Sequence, residues 1–444
     1  MTETFHQWLD RQAAYAATAM LKSVSAVDLV KTRPGFGQTV RPVKGSIIAS
    51  PVIGAYDPDP DYFFHWYRDS AVVIDALRLL FLEGVVGAQA LEQFADFLRF
   101  SLSLRKLDGR ALAASSTRRD GVAADFLKFI REDDDLAAVH GDAAFAETRV
   151  NPDGSLDISK WARPQHDGPP LQALALMRWA RDVALTPAVS ADLSALIRAN
   201  LEFTLQHCHE PSFDIWEEEN GLHYYTLRVS AAALEQGAGW FESQAEPGLA
   251  LCCRAEASML TKALDGFWLA EENCYRSRTL VSGERSSKEL DIAVILAAIH
   301  VEASAPKHSV ADPRMQATLA RLETLFDGLY AINRNRAADR GPAMGRYPGD
   351  VYYSGGAYYF STLGASEFCF RAAMKSDQAA SWIARGDAYL ETVRVYTPAS
   401  GALSEQFDQQ NGRQTSAKHL AWSYAAFISC LAARRAALGL GQHH

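Results

Sequence analysis

The stretch Phe213-Asp214-Ile215-Trp216-Glu217-Glu218-Glu219-Asn220-Gly221 sets three consecutive carboxylates between an indole and an Asn-Gly pair, with Tyr224 and Tyr225 just beyond. A bare acidic run is most simply a first helical turn, where the helix dipole favours negative charge by roughly 0.3–1 kcal/mol. Asn220-Gly221 favours a tight turn instead, which would crowd the carboxylates into a short loop. Like charges crowded beside an aromatic wall raise at least one carboxyl pKa, through repulsion and desolvation. A general acid is then available near neutral pH. The residues alone do not choose among Glu217, Glu218 and Glu219 for that role.

Other polar and aromatic clusters share this character. Tyr62-Phe63-Phe64-His65-Trp66-Tyr67-Arg68-Asp69-Ser70 precedes a helical run from Ala71 to Leu82. Asp69 or Ser70 could serve as its N-cap, but a cap does not explain the aromatics beside an arginine, a set suited to an aromatic-walled pocket. Trp161-Ala162-Arg163-Pro164-Gln165-His166-Asp167-Gly168-Pro169-Pro170 places Asp167 as a cap and the Pro pair at a helix start. Further clusters run from Gly345 to Ser354 and from Ser404 to Asp408. The histidines show no HExxH spacing, and no phosphate-cradling glycine motif occurs, so neither a metal nor a nucleotide cofactor is expected. Ser70 lacks a nucleophile-elbow context. Carboxylate chemistry in an aromatic pocket is characteristic of sugar hydrolysis.

The elements that must carry these clusters are helical. Apolar periods of helical type occupy residues 4–24, 71–82, 88–105, 170–187, 190–209, 223–237, 247–264, 288–304, 313–328, 355–376, 378–395 and 416–438. The first is expected on the outside. No sandwich-like strand spacing and no alternation of strand and helix appears. About twelve helices joined by alternating short and long connections predict hairpins in a ring, with the long connections delivering one shared site to one face. The long connections are residues 25–68, with the turn Asp57-Pro58-Asp59-Pro60-Asp61, and residues 106–168, 329–354 and 396–415. Arg131-Glu132-Asp133-Asp134-Asp135 reads as a solvated charge run.

Composition bounds the partners. Of 444 residues, 48% are hydrophobic and 22% charged, an ordinary globular balance. The net charge of −9 disfavours nucleic acid and anionic membranes. The six cysteines lack metal-type spacing and read as reduced core residues. Residues 1–20 show neither a leader pattern nor a bilayer-spanning run. A cytoplasmic location is expected, or a secreted or periplasmic one if a leader precedes the chain.

In family order, the chain carries Ile48-Ala49-Ser50-Pro51, Pro60-Asp61-Tyr62-Phe63 with Trp66-Tyr67-Arg68-Asp69-Ser70, and Arg163-Pro164-Gln165 with Asp167-Gly168-Pro169. It continues with Asp214-Ile215-Trp216-Glu217-Glu218, Gly345-Arg346-Tyr347-Pro348, Ser404-Glu405-Gln406-Phe407-Asp408 and Leu420-Ala421-Trp422-Ser423-Tyr424-Ala425. Together these blocks resemble the catalytic domain of glucoamylases, inverting glycoside hydrolases that release glucose from the non-reducing ends of α-glucans. The resemblance covers nearly the whole chain and implies an all-α (α/α)6 toroid.

By position it further implies Glu217 as general acid and Glu405 as general base. Arg68 and Asp69 would clamp the terminal glucose, and Tyr62 and Trp66 would wall its pocket. Trp161, Asp214, Trp216, Glu218, Arg346, Tyr352 and Trp422 would be further substrate contacts, and Arg163 mainly support. It implies an oligo- or polysaccharide substrate, no metal or other cofactor, and a monomer. Residues 1–444 are expected to form one catalytic domain, with no β-sandwich domain ahead of it and no starch-binding module.

Three departures bear on substrate range. The family's Trp-Thr-Arg-Asp is Trp66-Tyr67-Arg68-Asp69 here, His166 replaces the second arginine of its motif, and Ser354-Gly355-Gly356-Ala357-Tyr358 replaces Asn-Gly-Asn-Pro-Trp. The last change predicts weaker contacts to the leaving sugar and a looser preference for linkage and chain length. Rival readings are a trehalase-like or glucodextranase-like specificity, and a sugar-binding toroid without catalysis. Retention of both Glu217 and Glu405 weighs against the second rival.

Overall fold

The structure, a computed structural model, describes residues 3–54, 59–116, 118–301, 303 and 305–439. In chain order its helices are α1 (Phe5–Leu21), α2 (Tyr67–Leu82), α3 (Gln89–Leu104), α4 (Gly109–Ala113), α5 (Asp133–Ala137), α6 (Gly168–Asp182) and α7 (Pro187–His207). They continue as α8 (Tyr224–Ser243), α9 (Pro247–Asp265), α10 (Ala293–His300), α11 (Pro313–Leu329), α12 (Tyr359–Ala373), α13 (Ala379–Tyr396) and α14 (Ala421–Ala437). Apart from the five-residue α4 and α5, these are the twelve helices that the apolar periods predict.

Six of them close a ring. α2 packs on α6, α6 on α8, α8 on α10, α10 on α12, α12 on α14, and α14 returns to α2. Around it α1 lies on α14, α7 on α6, α9 on α8, α11 on α10 and α13 on α12, while α3 bridges α2 and α7. The chain is therefore an all-α (α/α)6 toroid, with α1 outside as expected. Burial follows the two layers. Every residue of α12 except Arg371 is buried, and so are Ala293–Ile299 of α10. The outer α9 buries only Ala250, Cys253, Ala257, Leu260 and Leu264, a single helical stripe.

Three of the outer helices carry ordinary start signals: Thr4 with Gln7 as a capping box on α1, Thr186-Pro187 on α7, and Asp312-Pro313 on α11. The inner α2, α8, α12 and α14 have no side-chain cap. Three of them are entered from very short strands. His65–Trp66 pairs with Arg149–Val150, Asn220–His223 lies between Ser212–Phe213 and Arg278–Leu280, and Ala357–Tyr358 pairs with Gln406–Phe407. Strands of two to four residues are too short to show a period of two.

Several local expectations change. α2 begins at Tyr67, so Asp69 lies inside the first turn and is no cap, and the Ser70 hydroxyl donates to the Tyr67 carbonyl. Asp167 occupies the N-cap of α6, but its carboxylate makes no capping bond. Asn220-Gly221 is not a turn: it opens a strand, and a Cβ on Gly221 would lie 2.3 Å from the Thr279 carbonyl oxygen. Arg131 is buried rather than solvated and binds Glu147 at 2.9 Å, while Asp133–Asp135 form the first turn of α5. Asp57 and Pro58 of the expected turn lie outside the described residues. Among the described residues, no helix is long and apolar enough to cross a membrane.

The layers are locked by aromatic packing. Fully buried Trp179 on α6 stacks on Phe94 of α3 at 4.1 Å and donates to the Ile74 carbonyl of α2 at 2.9 Å. Trp179→Ala should lower the unfolding free energy by about 3–5 kcal/mol, the usual loss for a buried tryptophan. Urea denaturation followed by circular dichroism measures it, and an unchanged midpoint contradicts the packing role.

Candidate active site

The inner helices and their entry strands bring the sequence clusters to one place. Arg68 and Asp69, in the first turn of α2, are both buried. Arg68 Nη2 lies 3.2 Å from both Asp69 Oδ2 and Glu217 Oε1, and Nη1 lies 3.5 Å from Asp167 Oδ2. Arg68 Nε and Nη1 and both Asp167 oxygens have no hydrogen-bond partner among the described residues. Buried polar atoms are nearly always satisfied, so this convergence of donors and acceptors suits a hydroxyl-rich ligand. Burial pushes the Asp167 carboxyl up to about 6, although Arg68 opposes the shift. Burial also raises Asp69.

Glu217 stands at the tip of the loop joining Ser212–Phe213 to Asn220–His223, with a left-handed φ of 66°. Such a backbone costs a β-carbon residue about 1–3 kcal/mol and persists only where its surroundings impose it. Asp214 imposes it here. Its carbonyl accepts the Glu217 amide at 2.9 Å, and its Oδ1 accepts the Glu218 and Glu219 amides at 2.8 and 3.0 Å. Its Oδ2 takes Arg278 at 3.1 Å. Both carboxylate oxygens are thus engaged, Oδ1 by the loop and Oδ2 by Arg278, so Asp214 holds the loop in shape.

The three consecutive glutamates diverge instead of crowding. Glu217 accepts Trp66 Nε1 at 2.9 Å, the Trp161 indole N–H and Arg68. Glu218 meets Tyr347 at 2.7 Å, Lys288 at 2.7 Å and Arg346 at 3.2 Å. Glu219 meets Arg278 at 2.9 Å and Ser286 at 2.8 Å. A positive-φ residue at the start of the run points successive side chains apart, so each finds its own partners.

Glu405 immediately precedes the strand Gln406–Phe407, its backbone tied to Ala417 and Tyr359. Its carboxylate accepts the Ser416 hydroxyl and, at 3.2 Å, the Tyr62 hydroxyl, which also meets the Tyr352 hydroxyl at 2.9 Å. Burial pushes Glu405 up to about 7, against the lowering pull of Ser416, Arg346 and Tyr62. Tyr62 touches Glu405 and Trp66 touches Glu217, and the two rings are 5.2 Å apart. The two carboxylates therefore face one pocket.

Buried rings close that pocket. Trp422 stacks on Phe360 at 4.4 Å and on Trp216 at 6.4 Å, with the Arg68 guanidinium 5.3 Å from the Trp422 ring. The Trp216 indole N–H is taken by Asp291 at 2.9 Å. At the other edge, Trp161 is 42% exposed and stacks on Arg149 at 3.6 Å. Arg163 binds Glu147 at 2.7 Å and Asp157 at 3.1 Å, a supporting position.

Two of the three departures lie off the pocket. Tyr67 packs with Phe100, Leu104 and Val150 and donates to the Ala144 carbonyl, and His166 packs against Phe203 and His207 of α7. Tyr358 is fully buried beside Arg346, so that loop acts from beneath rather than by contact. Residues not assigned a site role from the sequence are Asp167, Arg278, Asp291, Tyr347, Asp350 and Ser416. Asp167 and Tyr347 lie inside the motifs already quoted. Arg278 and Asp291 carry no local signal, because they meet the Glu217 loop from 64 and 75 positions along the chain.

Comparison with known proteins follows the same outline. Glucoamylase of Neurospora crassa is 27% identical over 437 residues, an alignment spanning 89% of this chain but only 64% of that protein. Glucoamylase 1 of Rhizopus oryzae is 25% identical over 488 residues, spanning 98% of this chain and 72% of that one. Among solved structures, the glucoamylase of Saccharomycopsis fibuligera superposes with a TM-score of 0.79 at 21% identity, over 99% of this chain and 97% of that one. That of Hormoconis resinae gives 0.77 at 24% identity, over 98% and 74%. The model of the glycosyl hydrolases family 15 matches residues 34–103, 142–385 and 383–432, which take in every loop of the pocket, and by this match the chain belongs to that family.

Proposed function

We propose that the protein is an exo-acting glycoside hydrolase that releases β-D-glucose from the non-reducing ends of α-glucans or malto- and isomalto-oligosaccharides, with inversion. The observation that carries this reading is the pair Glu217 and Glu405, delivered from separate loops to Trp66 and Tyr62, with unsatisfied Arg68 and Asp167 atoms beside Glu217. In this reading the terminal glucose binds there and satisfies those atoms. Glu217 gives its proton to the glycosidic oxygen, and Glu405 takes one from the water that attacks the anomeric carbon. Arg346 and Glu218 hold the leaving sugar. The six cysteines are free thiols, five of them buried, which supports a reducing, cytoplasmic setting.

Glu217→Gln and Glu405→Gln should each lower kcat on maltose by at least about 10²-fold with the fold intact, as expected for a positioned acid or base. A folded variant that turns over like the wild type removes that glutamate from the mechanism. Proton NMR of the first product should show β-glucose. The α-anomer before mutarotation contradicts inversion. Maltose, isomaltose and trehalose assayed side by side separate this specificity from its rivals.

The roles also fix the sign of the pH dependence. A base works only when deprotonated, so kcat/KM should rise with pH as Glu405 loses its proton near 7. Ser416→Ala removes a hydroxyl that favours the carboxylate, and should move that limb upward. A profile that falls through pH 7, and falls at a higher pH in Ser416→Ala, exchanges the roles of the two glutamates.

A further inference from the structure

Beneath the leaving-sugar side of the pocket lies a hydrogen-bonded chain with a fixed direction. The Gln406 amide nitrogen donates to the Tyr352 carbonyl at 3.1 Å and to the Tyr358 hydroxyl at 2.7 Å. Its amide oxygen accepts the Ser354 amide at 3.3 Å and hydroxyl at 2.9 Å. Turning the amide over would set its oxygen against the Tyr352 carbonyl, so the orientation is determined. The Tyr358 oxygen is thus an acceptor from Gln406, and its hydrogen is left to donate to Asp350 Oδ2 at 3.0 Å.

Asp350 passes this order on. It grips Arg346 in the two-pronged geometry, Nε to Oδ2 at 2.7 Å and Nη2 to Oδ1 at 2.6 Å, and Oδ1 also accepts the Tyr352 amide at 2.9 Å. The guanidinium sits 5.4, 5.1, 5.4 and 5.2 Å from the rings of Trp216, Tyr347, Tyr352 and Tyr358. Packing fixes its position, while the Asp350 grip fixes its rotation. The backbone is shaped to allow this. A Cβ on Gly355 would stand 2.0 Å from the Asp350 carbonyl oxygen, and one on Gly356 would stand 2.7 Å from the Gln409 amide. Only a glycine pair lets the segment fold under Asp350.

We propose that Tyr358 is a specificity-determining positioning residue: its hydroxyl, oriented by Gln406, holds Asp350 and through it turns the Arg346 guanidinium toward a leaving group that carries sugar hydroxyls. A tryptophan here, with a donor but no acceptor, could not continue the chain. This inference rests on the glycosidase reading. The test compares maltose with p-nitrophenyl α-D-glucoside, which share the terminal glucose and differ only in the leaving group.

Tyr358→Phe keeps the ring and removes both hydrogen bonds. KM for maltose should rise about tenfold, roughly 1.4 kcal/mol of binding, while kcat on maltose and kcat/KM on the aryl glucoside stay within about twofold. Asp350→Asn should give the same split with a larger rise. A Tyr358→Phe enzyme unchanged on maltose, or weakened equally on both substrates, overturns the proposal while the glycosidase reading stands. A wild type that releases no glucose from either substrate overturns that reading itself.

Discussion

The buried guanidinium of Arg278 holds the acidic loop in place. It is 1% exposed and is shared by Asp214, Glu219 and Asp291. A cation so buried is tolerable only with close counter-charges and satisfied donors, and those same contacts hold it in its charged form. Asp214 then fixes the loop backbone through three hydrogen bonds, which imposes the left-handed conformation of Glu217. Asp291 fixes the Trp216 indole, and through it the stack with Phe360 and Trp422. One cation thus fixes both the loop that carries Glu217 and the ring stack beside it.

The ring supplies the second condition. Inner helices begin where the site loops end, so their N-termini gather at the pocket. Each brings partial positive charge from its unpaired amides. Asp69 lies in the first turn of α2 and Asp167 at the N-cap of α6, where that charge favours carboxylates. This explains how one pocket holds Asp69, Asp167, Glu217, Glu218 and Glu405 with few buried cations.

How much was legible in the sequence follows from what each signal depends on. Helical apolar periods depend on local repetition, and they place all twelve long helices. They fail at ends where tertiary contacts decide. The period from 288 begins five residues before α10, because Lys288 and Asp291 leave the helix to bind Glu218 and Arg278. Asn220-Gly221 reads as a turn locally, but pairing of Asn220 with Phe213 and of Gly221 with Ser212 and Leu280 makes it a strand. Arg131 reads as solvated because its partner Glu147 lies 16 residues away. The site motifs give most of the pocket, since each loop is a contiguous segment. They do not separate residues that face the pocket from Asp214, whose atoms are consumed beneath it, nor do they reveal Arg278.

The two glutamates sit in unlike surroundings. Glu217 receives three N–H donors, while burial pushes Glu405 up to about 7. Two of the donors belong to side chains with room for other partners: Arg68, which has unsatisfied atoms, and Trp161, half-exposed at the edge. Arg346, which lowers the Glu405 pKa, stays in place because Asp350 and four rings hold it. In this arrangement the donors on Glu217 belong to side chains with capacity for other partners, while the cation that favours ionised Glu405 is held rigidly by the protein.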